Sequence, residues 1–417
     1  MSTILDVYLN TERVGSLRLD KGRRFVFQYG AHWLGRHDAA PLSLGLPLRP
    51  EPYPDDLSRP FFANLLPESD LRRRIAGKLG LSERNDFALL EAVGGECAGA
   101  VSLLAEGIGL SEEGGYRALD DNALNRLISD MPSRPFLAGE EGVRLSLAGA
   151  QNKLPVYFDG SQISVPLGAA PSSHVLKPPM AHYPDSVQNE AFCMGLADRM
   201  GLSVPEVRVL KVAHPLYLIE RYDRARNADG RLTRLHQEDF CQALGVSPDA
   251  KYEKEGGPGV QACFALLRDY STQPAADLRR LLDWVAFNYL IANADAHAKN
   301  IALMLMPQGP RLAPFYDLLC TAVYPELTSR MAMQVGGEDR PDWIMERHWR
   351  QFADATGIGF KLVRQIVFTL SQTLPAEAGD EAEGFRQKYG SCEILDPILE
   401  VVRSRCRKVS GVLGSAG

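Results

Sequence analysis

The stretch Ile291-Ala-Asn-Ala-Asp295-Ala-His297-Ala-Lys299-Asn300-Ile-Ala-Leu sets an abrupt polar cluster between an apolar helix-like run, Leu281–Leu290, and a strand-like one, Ile301–Met306. Polar residues on a loop held between two buried elements are placed as an active-site loop places them. Asp295 and Asn300 have the spacing of a protein-kinase catalytic loop, in which the Asp accepts a hydroxyl proton and the Asn holds a metal ion. A second carboxylate, Asp317 in Pro314-Phe-Tyr-Asp317, follows Asn300 by seventeen residues. That gap suits a β-hairpin returning Asp317 beside Asn300 as an oxygen-ligand pair for Mg2+. Phosphoryl transfer is the chemistry this set would serve, because its transition state is mainly positioned and neutralised electrostatically.

Such chemistry also needs a cation on the phosphates, a carboxylate orienting it, and a turn over the nucleotide. Lys177 ends the strand-like His174-Val-Leu-Lys177, and Glu190 lies on the helix after it, which repeats the strand-Lys and helix-Glu pairing of kinases. Ala148-Gly-Ala-Gln-Asn-Lys153 has the small residues that let backbone N–H groups approach phosphate oxygens. It is no Walker loop, and by spacing alone it is an ordinary hairpin. Other readings stay open. Asp295 and Asn300 could simply cap and turn their loop, and His297, Asp295 and Asp317 could be ligands of a metal hydrolase, although no H-E-x-x-H helix is present.

The elements that must position these residues divide the chain into a β-rich half and a helical half. In the first, Leu5–Leu9 and Ser16–Leu19 flank a polar turn, Phe25–Tyr29 alternates, and five prolines between residues 41 and 54 break the backbone. Residues 106–140 are rich in Gly, Glu, Asp and Pro, with one short helix near Asp120–Ser129, and read as a connection. Val143–Leu147 and Leu154–Phe158 read as strands, Asp159-Gly160 marks a hairpin, and Val207–Val212 pairs with Leu216–Tyr222. Beyond Gln237 the period is helical nearly to the end. The expected organisation is an N-terminal α/β subdomain over 1–105, a connecting segment over 106–140, a β-rich lobe over 141–233 and a helical lobe over 234–417. In fold class this is α+β, a two-lobed kinase-like architecture.

Composition excludes several classes. The chain has 417 residues, 45% apolar and 24% charged, enough to bury a core without disulfides. Its seven cysteines are scattered without a C-x-x-C pair, as in a reducing compartment. The start Met1-Ser-Thr-Ile-Leu-Asp lacks a basic, apolar leader and no run is long enough to span a bilayer, so a cytoplasmic protein without membrane contact is expected. A net charge of −6 argues against broad nucleic-acid binding. Arg403, Arg405, Arg407 and Lys408 form a small basic cluster that reads as a solvated helix end or a local patch.

These residues together resemble the HipA family of bacterial serine/threonine-protein kinase toxins. The resemblance is carried by Ser146-Leu-Ala-Gly-Ala-Gln-Asn-Lys153, His174-Val-Leu-Lys177, Ser186-Val-Gln-Asn-Glu190, Ile219-Glu-Arg-Tyr-Asp223, Lys251-Tyr-Glu with Gly256-Gly-Pro-Gly259, Asp295-Ala-His-Ala-Lys-Asn300 and Phe315-Tyr-Asp317. Val14-Gly15, Pro41-Leu-Ser-Leu-Gly-Leu-Pro47 and Phe62-Ala-Asn-Leu-Leu-Pro67 add to it. It covers about 330 residues and little of the last 80. It departs in Ala296, where Gly is expected in many relatives, and Tyr316-Asp317-Leu318 stands where other protein kinases carry D-F-G.

The resemblance implies Asp295 as catalytic base, Asn300 and Asp317 as Mg2+ ligands, and Lys177, oriented by Glu190, on the ATP phosphates. It implies that Ala148, Gly149, Ala150, Gln151, Asn152 and Lys153 cover those phosphates. Glu220, Arg221 and Tyr222 would hold the adenine edge, and His297, Ala298, Lys299 and Tyr316 would complete the ATP site. Ser146 matches the family's autophosphorylated serine, whose modification silences the enzyme. The implied partners are a small helix-turn-helix (HipB-like) antitoxin, operator DNA reached through that antitoxin, and a protein acceptor such as glutamyl-tRNA synthetase. A non-catalytic corepressor and a small-molecule kinase remain the alternatives, and Lys251–Gly259 is either part of an acceptor groove or a plain flexible loop.

Overall fold

The computed structural model describes residues 3–110, 114–138 and 145–414. β1 (Ile4–Leu9), β2 (Glu12–Leu19) and β3 (Phe25–Tyr29) run antiparallel, and β4 (Val101–Ala105) joins the other edge of β1, in the order β3-β2-β1-β4. The alternation seen in the sequence sets the face, with Phe25, Phe27 and Tyr29 buried two residues apart. At Gly15 a Cβ would stand 2.3 Å from the carbonyl oxygen of Gln28, so glycine is what lets these two strands approach. Helices Asp55–Ala63, Ser69–Leu79 and Asp86–Val93 contribute Phe61, Phe62, Ile75 and Leu90 to the same core.

A second antiparallel sheet has six strands: β5 (Gly114–Ala118), β6 (Leu154–Phe158), β7 (Ile163–Gly168), β8 (His174–Lys177), β9 (Val207–Lys211) and β10 (Pro215–Glu220), in the order β5-β7-β6-β8-β10-β9. The Asp159 carboxylate caps the predicted hairpin turn by accepting from the backbone of Ser161 and Gln162, each at 2.8 Å. Residues 106–140 are more than a connection. They supply edge strand β5 and the helix Asp121–Asp130. Gly114 and Gly115 carry no strand signal of their own, and pairing with β7 is what makes this segment extended. Of the strand expected at 143–147, residues 143 and 144 lie outside the described residues, and Leu145 makes a single bridge to Glu96.

β10 separates two cores. Leu216 and Leu218 face the core shared with the N-terminal unit, whereas Tyr217 and Ile219 face the core of the helical half. That second core gathers the helices Ser186–Arg199, Val260–Tyr270, Pro274–Leu290, Glu346–Thr356, Phe360–Tyr389 and Leu395–Leu413 around Trp284, Trp349, Phe264 and Phe352. The half is not helical throughout. β13 (Gln237–Asp239), β14 (Ala302–Met306) and β15 (Gly309–Leu312) form a three-stranded sheet after a short hairpin of β11 (Arg224–Arg226) and β12 (Leu232–Arg234). A three-residue strand is too short to show a period, so β13 is legible only through its partner β14.

The C-terminal basic cluster is largely structural: Arg405 pairs with Asp342 at 2.9 Å, Arg407 with Glu400 at 2.9 Å, and Lys408 donates to the backbone of Pro341 and Asp342. The seven cysteines are buried free thiols. Among the described residues no helix is long and apolar enough to cross a membrane.

A buried ionic clamp joins the N-terminal unit to the second sheet. Glu96 accepts from Arg224 and from Ser172 at 2.8 Å, Arg221 pairs with Asp223 at 2.7 Å, and Asp223 accepts from the backbone of Gly99 at 2.6 Å. Burial pushes Glu96 up, but Arg234, Arg224 and Arg221 outweigh it and hold the carboxyl at about 2. A carboxylate depressed in the folded state contributes stability that is complete above its ordinary 4.5 and is lost as pH falls toward 2. In thermal unfolding followed across that window, wild type is expected to lose stability more steeply than Glu96→Gln. The variant should be up to about 3–5 kcal/mol less stable at neutral pH, because Arg221 and Arg224 are then left to share the single carboxylate of Asp223. Equal slopes would remove Glu96 from the acid response.

Candidate active site

Four chain segments converge on one cavity of about 1310 Å³ between the two cores. Lys177 arrives at the end of β8, Glu190 from the helix Ser186–Arg199, Asp295 and Asn300 from the loop after the helix Pro274–Leu290, and Asp317 from the segment after β15. The hairpin β14–β15 is the predicted return that brings Asp317 back to the lining of that cavity with Asn300.

Lys177 Nζ lies 2.8 Å from Glu190 Oε1 and 2.5 Å from Asp317 Oδ1. Burial alone would lower its pKa, but Asp317 and Glu190 outweigh it and hold the ammonium charged well above its ordinary range. Against its own burial, Asp317 is held well below the carboxylate range by Lys177 and Lys153. Burial, reinforced by Asp317, pushes Glu190 up to about 7 in spite of Lys177. Asp317 adopts the left-handed backbone conformation (φ 54°), as does Ala292 (φ 56°) near the start of the polar cluster. Non-glycine residues held there store strain of about 1–3 kcal/mol each, which persists where the surrounding contacts over-determine it.

Thr321 holds the Ala292 carbonyl, its hydroxyl donating at 2.9 Å, and the hold on Asp317 comes from a residue without an obvious role in the sequence. Asn293 donates to Asn288 Oδ1 at 2.8 Å and to the carbonyl of Asp317 at 3.2 Å, and its Oδ1 accepts from the backbone of Asp295 at 3.1 Å. Asn288, the polar residue that interrupts the apolar helix, is the buried anchor of this chain of bonds. Asn300 Nδ2 donates to the carbonyl of Asp295 at 3.1 Å. The Asp295 carboxylate is half exposed to the cavity and accepts a hydrogen bond from the Tyr252 hydroxyl at 2.7 Å.

The Ala148–Lys153 loop borders the cavity and leans on the N-terminal unit, with Glu68 N donating to the Gly149 carbonyl at 3.1 Å. Gly149 has φ 106°, and a Cβ there would stand 2.7 Å from Lys153 Nζ. Burial, with the nearby Lys177, pulls Lys153 down to about 8 against the attraction of Asp317, and its amine donates to the Ala148 carbonyl. Tyr222 stacks on Tyr316 with centroids 5.7 Å apart, and Tyr316 donates to the Lys299 carbonyl at 2.8 Å.

Several expected ligands are placed otherwise. The Arg221 guanidinium belongs to the ionic clamp, bonded to Asp223, Ser172 and the Cys97 carbonyl. The Lys299 ammonium is held by Asn64 Oδ1 at 2.6 Å and Asp239 at 2.9 Å, with Glu68 at 3.8 Å. Both residues border the cavity, but their charges are already neutralised within the protein. Ala298 is fully buried and does not line the cavity, nor does Ser146, whose hydroxyl donates to the Leu65 carbonyl at 2.8 Å. Glu220 is exposed at the end of β10, and Ala150, Gln151 and Asn152 line the cavity with it.

His297 lies 3.9 Å from Asp295 Oδ1, and burial lowers its pKa and keeps it neutral. Among the described residues no three His, Cys, Asp or Glu side chains gather into a metal cage, so the ligand set His297, Asp295 and Asp317 of a metal hydrolase does not assemble. Asp317 retains Oδ2 and Asn300 its amide oxygen after the bonds above. Two hard oxygens on one cavity fit Mg2+, which takes one or two carboxylate-type donors and completes its shell with phosphates and water.

Residues 5–104 match the model of the HipA N-terminal domain, and residues 145–378 match the HipA-like C-terminal domain. A Sinorhizobium fredii protein that carries a kinase name, Y4mE, is 43% identical over 412 residues, covering 97% of this chain and 98% of its own. The serine/threonine-protein kinase toxin HipA of Shewanella oneidensis is 30% identical over 385 residues, covering 89% and 87%. The solved complex of Shewanella oneidensis HipA, HipB and operator DNA superposes with a TM-score of 0.83 at 28% identity, over 99% of this chain and 100% of that one.

Proposed function

The chain belongs to the HipA family of serine/threonine-protein kinase toxins, and on that premise we propose that it is a Mg-ATP-dependent serine/threonine protein kinase. The observation that carries this is Lys177 held between Glu190 and Asp317 on the same cavity as Asp295 and Asn300. Lys177 neutralises the ATP phosphates while Glu190 keeps its ammonium in place. Asn300 and Asp317 hold Mg2+, which supplies charge neutralisation on the phosphate oxygens. The Ala148–Lys153 loop closes over the phosphates, and Tyr222 with Tyr316 offers an aromatic wall to the base. The acceptor hydroxyl oxygen attacks the γ-phosphorus and its proton passes to Asp295. The bond from the γ-phosphorus to the bridging oxygen breaks, and ADP leaves with the electron pair.

The acceptor is a serine or threonine of a protein, with glutamyl-tRNA synthetase the first to test, and Ser146 is the self-acceptor. The partners proposed are a HipB-like antitoxin and, through it, operator DNA. The likeness to a HipA chain solved with both supports this. Incubation with Mg-ATP, followed by intact mass and site mapping, is expected to add phosphate at Ser146. Asp295→Ala should lower the rate by about 10²–10⁴-fold, the usual contribution of a positioned general base. Unmodified wild type, or equal labelling of both proteins, would remove the kinase assignment.

A further inference from the structure

The segment Lys251–Gly259 has no part in the mechanism above, yet it is built tightly. Gly256 has φ 91°, and Gly257 N donates to the Tyr252 carbonyl at 2.9 Å. A Cβ at Gly257 would stand 2.3 Å from the Ala250 carbonyl oxygen, and one at Gly259 would meet the Glu253 carboxylate at 2.4 Å. The glycines therefore serve a fold-back rather than a flexible loop. Its other side is tied as firmly. Glu253 N donates to the Ala332 carbonyl at 3.1 Å, Glu253 Oε2 accepts from Gln334 N at 2.6 Å, and Ala332 N donates to the Ala294 carbonyl at 2.9 Å, next to Asp295. Lys251 pairs with Glu68 at 3.0 Å. Tyr252 is thus mounted from both flanks, and its hydroxyl donates to Asp295 Oδ1 at 2.7 Å.

Taking Asp295 as the base, as above, we propose that Tyr252 is a positioning residue. Its phenol fixes Oδ1 of Asp295 so that Oδ2 faces the acceptor hydroxyl, and Gly256-Gly-Pro-Gly259 is its mount. Among the described residues, Tyr252 gives this carboxylate its only side-chain hydrogen bond. Asn293 and Asn300 bind the backbone of Asp295, and His297 at 3.9 Å is beyond hydrogen-bond reach. A half-exposed carboxylate without such a tether would sample several rotamers, whereas a general base must sit about 2.6–3.2 Å from the oxygen it deprotonates. Misplacement by about 1 Å can cost about 10²-fold.

The test is the rate of self-phosphorylation of the full chain by Mg-ATP, read by intact mass over a series of ATP concentrations. Tyr252→Phe is expected to lower the maximal rate about tenfold or more and to leave the half-saturating ATP concentration and the unfolding temperature at wild-type values. Gly257→Ala keeps the hydroxyl but displaces its mount, and should show the same fall in maximal rate at an unchanged half-saturating ATP concentration, with a lower unfolding temperature because its Cβ presses on the Ala250 carbonyl. A Tyr252→Phe protein with the wild-type maximal rate overturns the proposal. So does one in which ATP saturation shifts in step with the rate, since that would place Tyr252 at the nucleotide instead. A wild type that takes up no phosphate defeats the kinase reading itself, a result neither variant can imitate.

Discussion

Lys177→Met is expected to slow phosphoryl transfer by about 10²–10³-fold and also to destabilise the protein, and the two losses should separate in a second variant. Lys177 is 6% exposed and lies between two carboxylates, so removing its charge leaves Glu190, itself 5% exposed, and Asp317 facing each other without the cation that bridges them. Breaking a buried pair from one side costs about 3–5 kcal/mol. Because burial and Asp317 already push Glu190 up to about 7, the carboxyl can escape part of this cost by taking up a proton. Adding Glu190→Gln should therefore return most of the lost stability in denaturant unfolding. It should return none of the activity, since the ammonium at position 177 is still missing from the phosphates, a deficit of about 10²–10³-fold by analogy with loss of a single electrostatic donor. Wild-type transfer by Lys177→Met would show that the ammonium serves only the fold.

What the chain discloses in one dimension depends on how far apart the interacting residues are. Asp295 and Asn300 lie on one loop, and Lys177 and Glu190 are separated by a single turn and helix start, so spacing carries both pairs. Asp317 was legible because a hairpin of predictable length returns it. Arg221 and Lys299 illustrate the limit. Both border the cavity, and part of what holds each comes from the N-terminal unit: Glu96 at 3.5 Å joins Asp223 on Arg221, and Asn64 with Glu68 joins Asp239 on Lys299. Contacts across more than a hundred residues leave no local pattern. Asn293 was hidden for a different reason: a buried amide that bonds to backbone looks like any loop asparagine until its partners are known. β5 was hidden because its glycines carry no strand propensity and pairing alone extends it.

Phosphorylation of Ser146 is expected to expel its segment from the N-terminal unit and with it the ability to bind ATP. Ser146 is 0% exposed, its N–H donates to the Glu96 carbonyl at 2.9 Å, and its hydroxyl donates to the Leu65 carbonyl at 2.8 Å. A phosphate would add about 1.5 to 2 negative charges there and place acceptor oxygens against a carbonyl oxygen. Burying such an anion against the Leu65 carbonyl is costly, so the segment is expected to leave instead. The contacts of the following loop leave with it. The bond from Glu68 N to the Gly149 carbonyl and the single bridge of Pro67 to Gly149 hold the phosphate-covering loop on the same short stretch, Leu65–Glu68, that holds Ser146. Ser146→Asp, which carries the charge permanently, should lower ATP affinity at least a hundredfold in calorimetry and raise amide exchange over 145–153 while the helical half stays protected. Ser146→Ala loses one buried hydrogen bond, worth about 1 kcal/mol, and should bind ATP as wild type does. Tight ATP binding by Ser146→Asp would mean that the pocket of Ser146 accepts a charge, and self-phosphorylation could not then act as the off-switch.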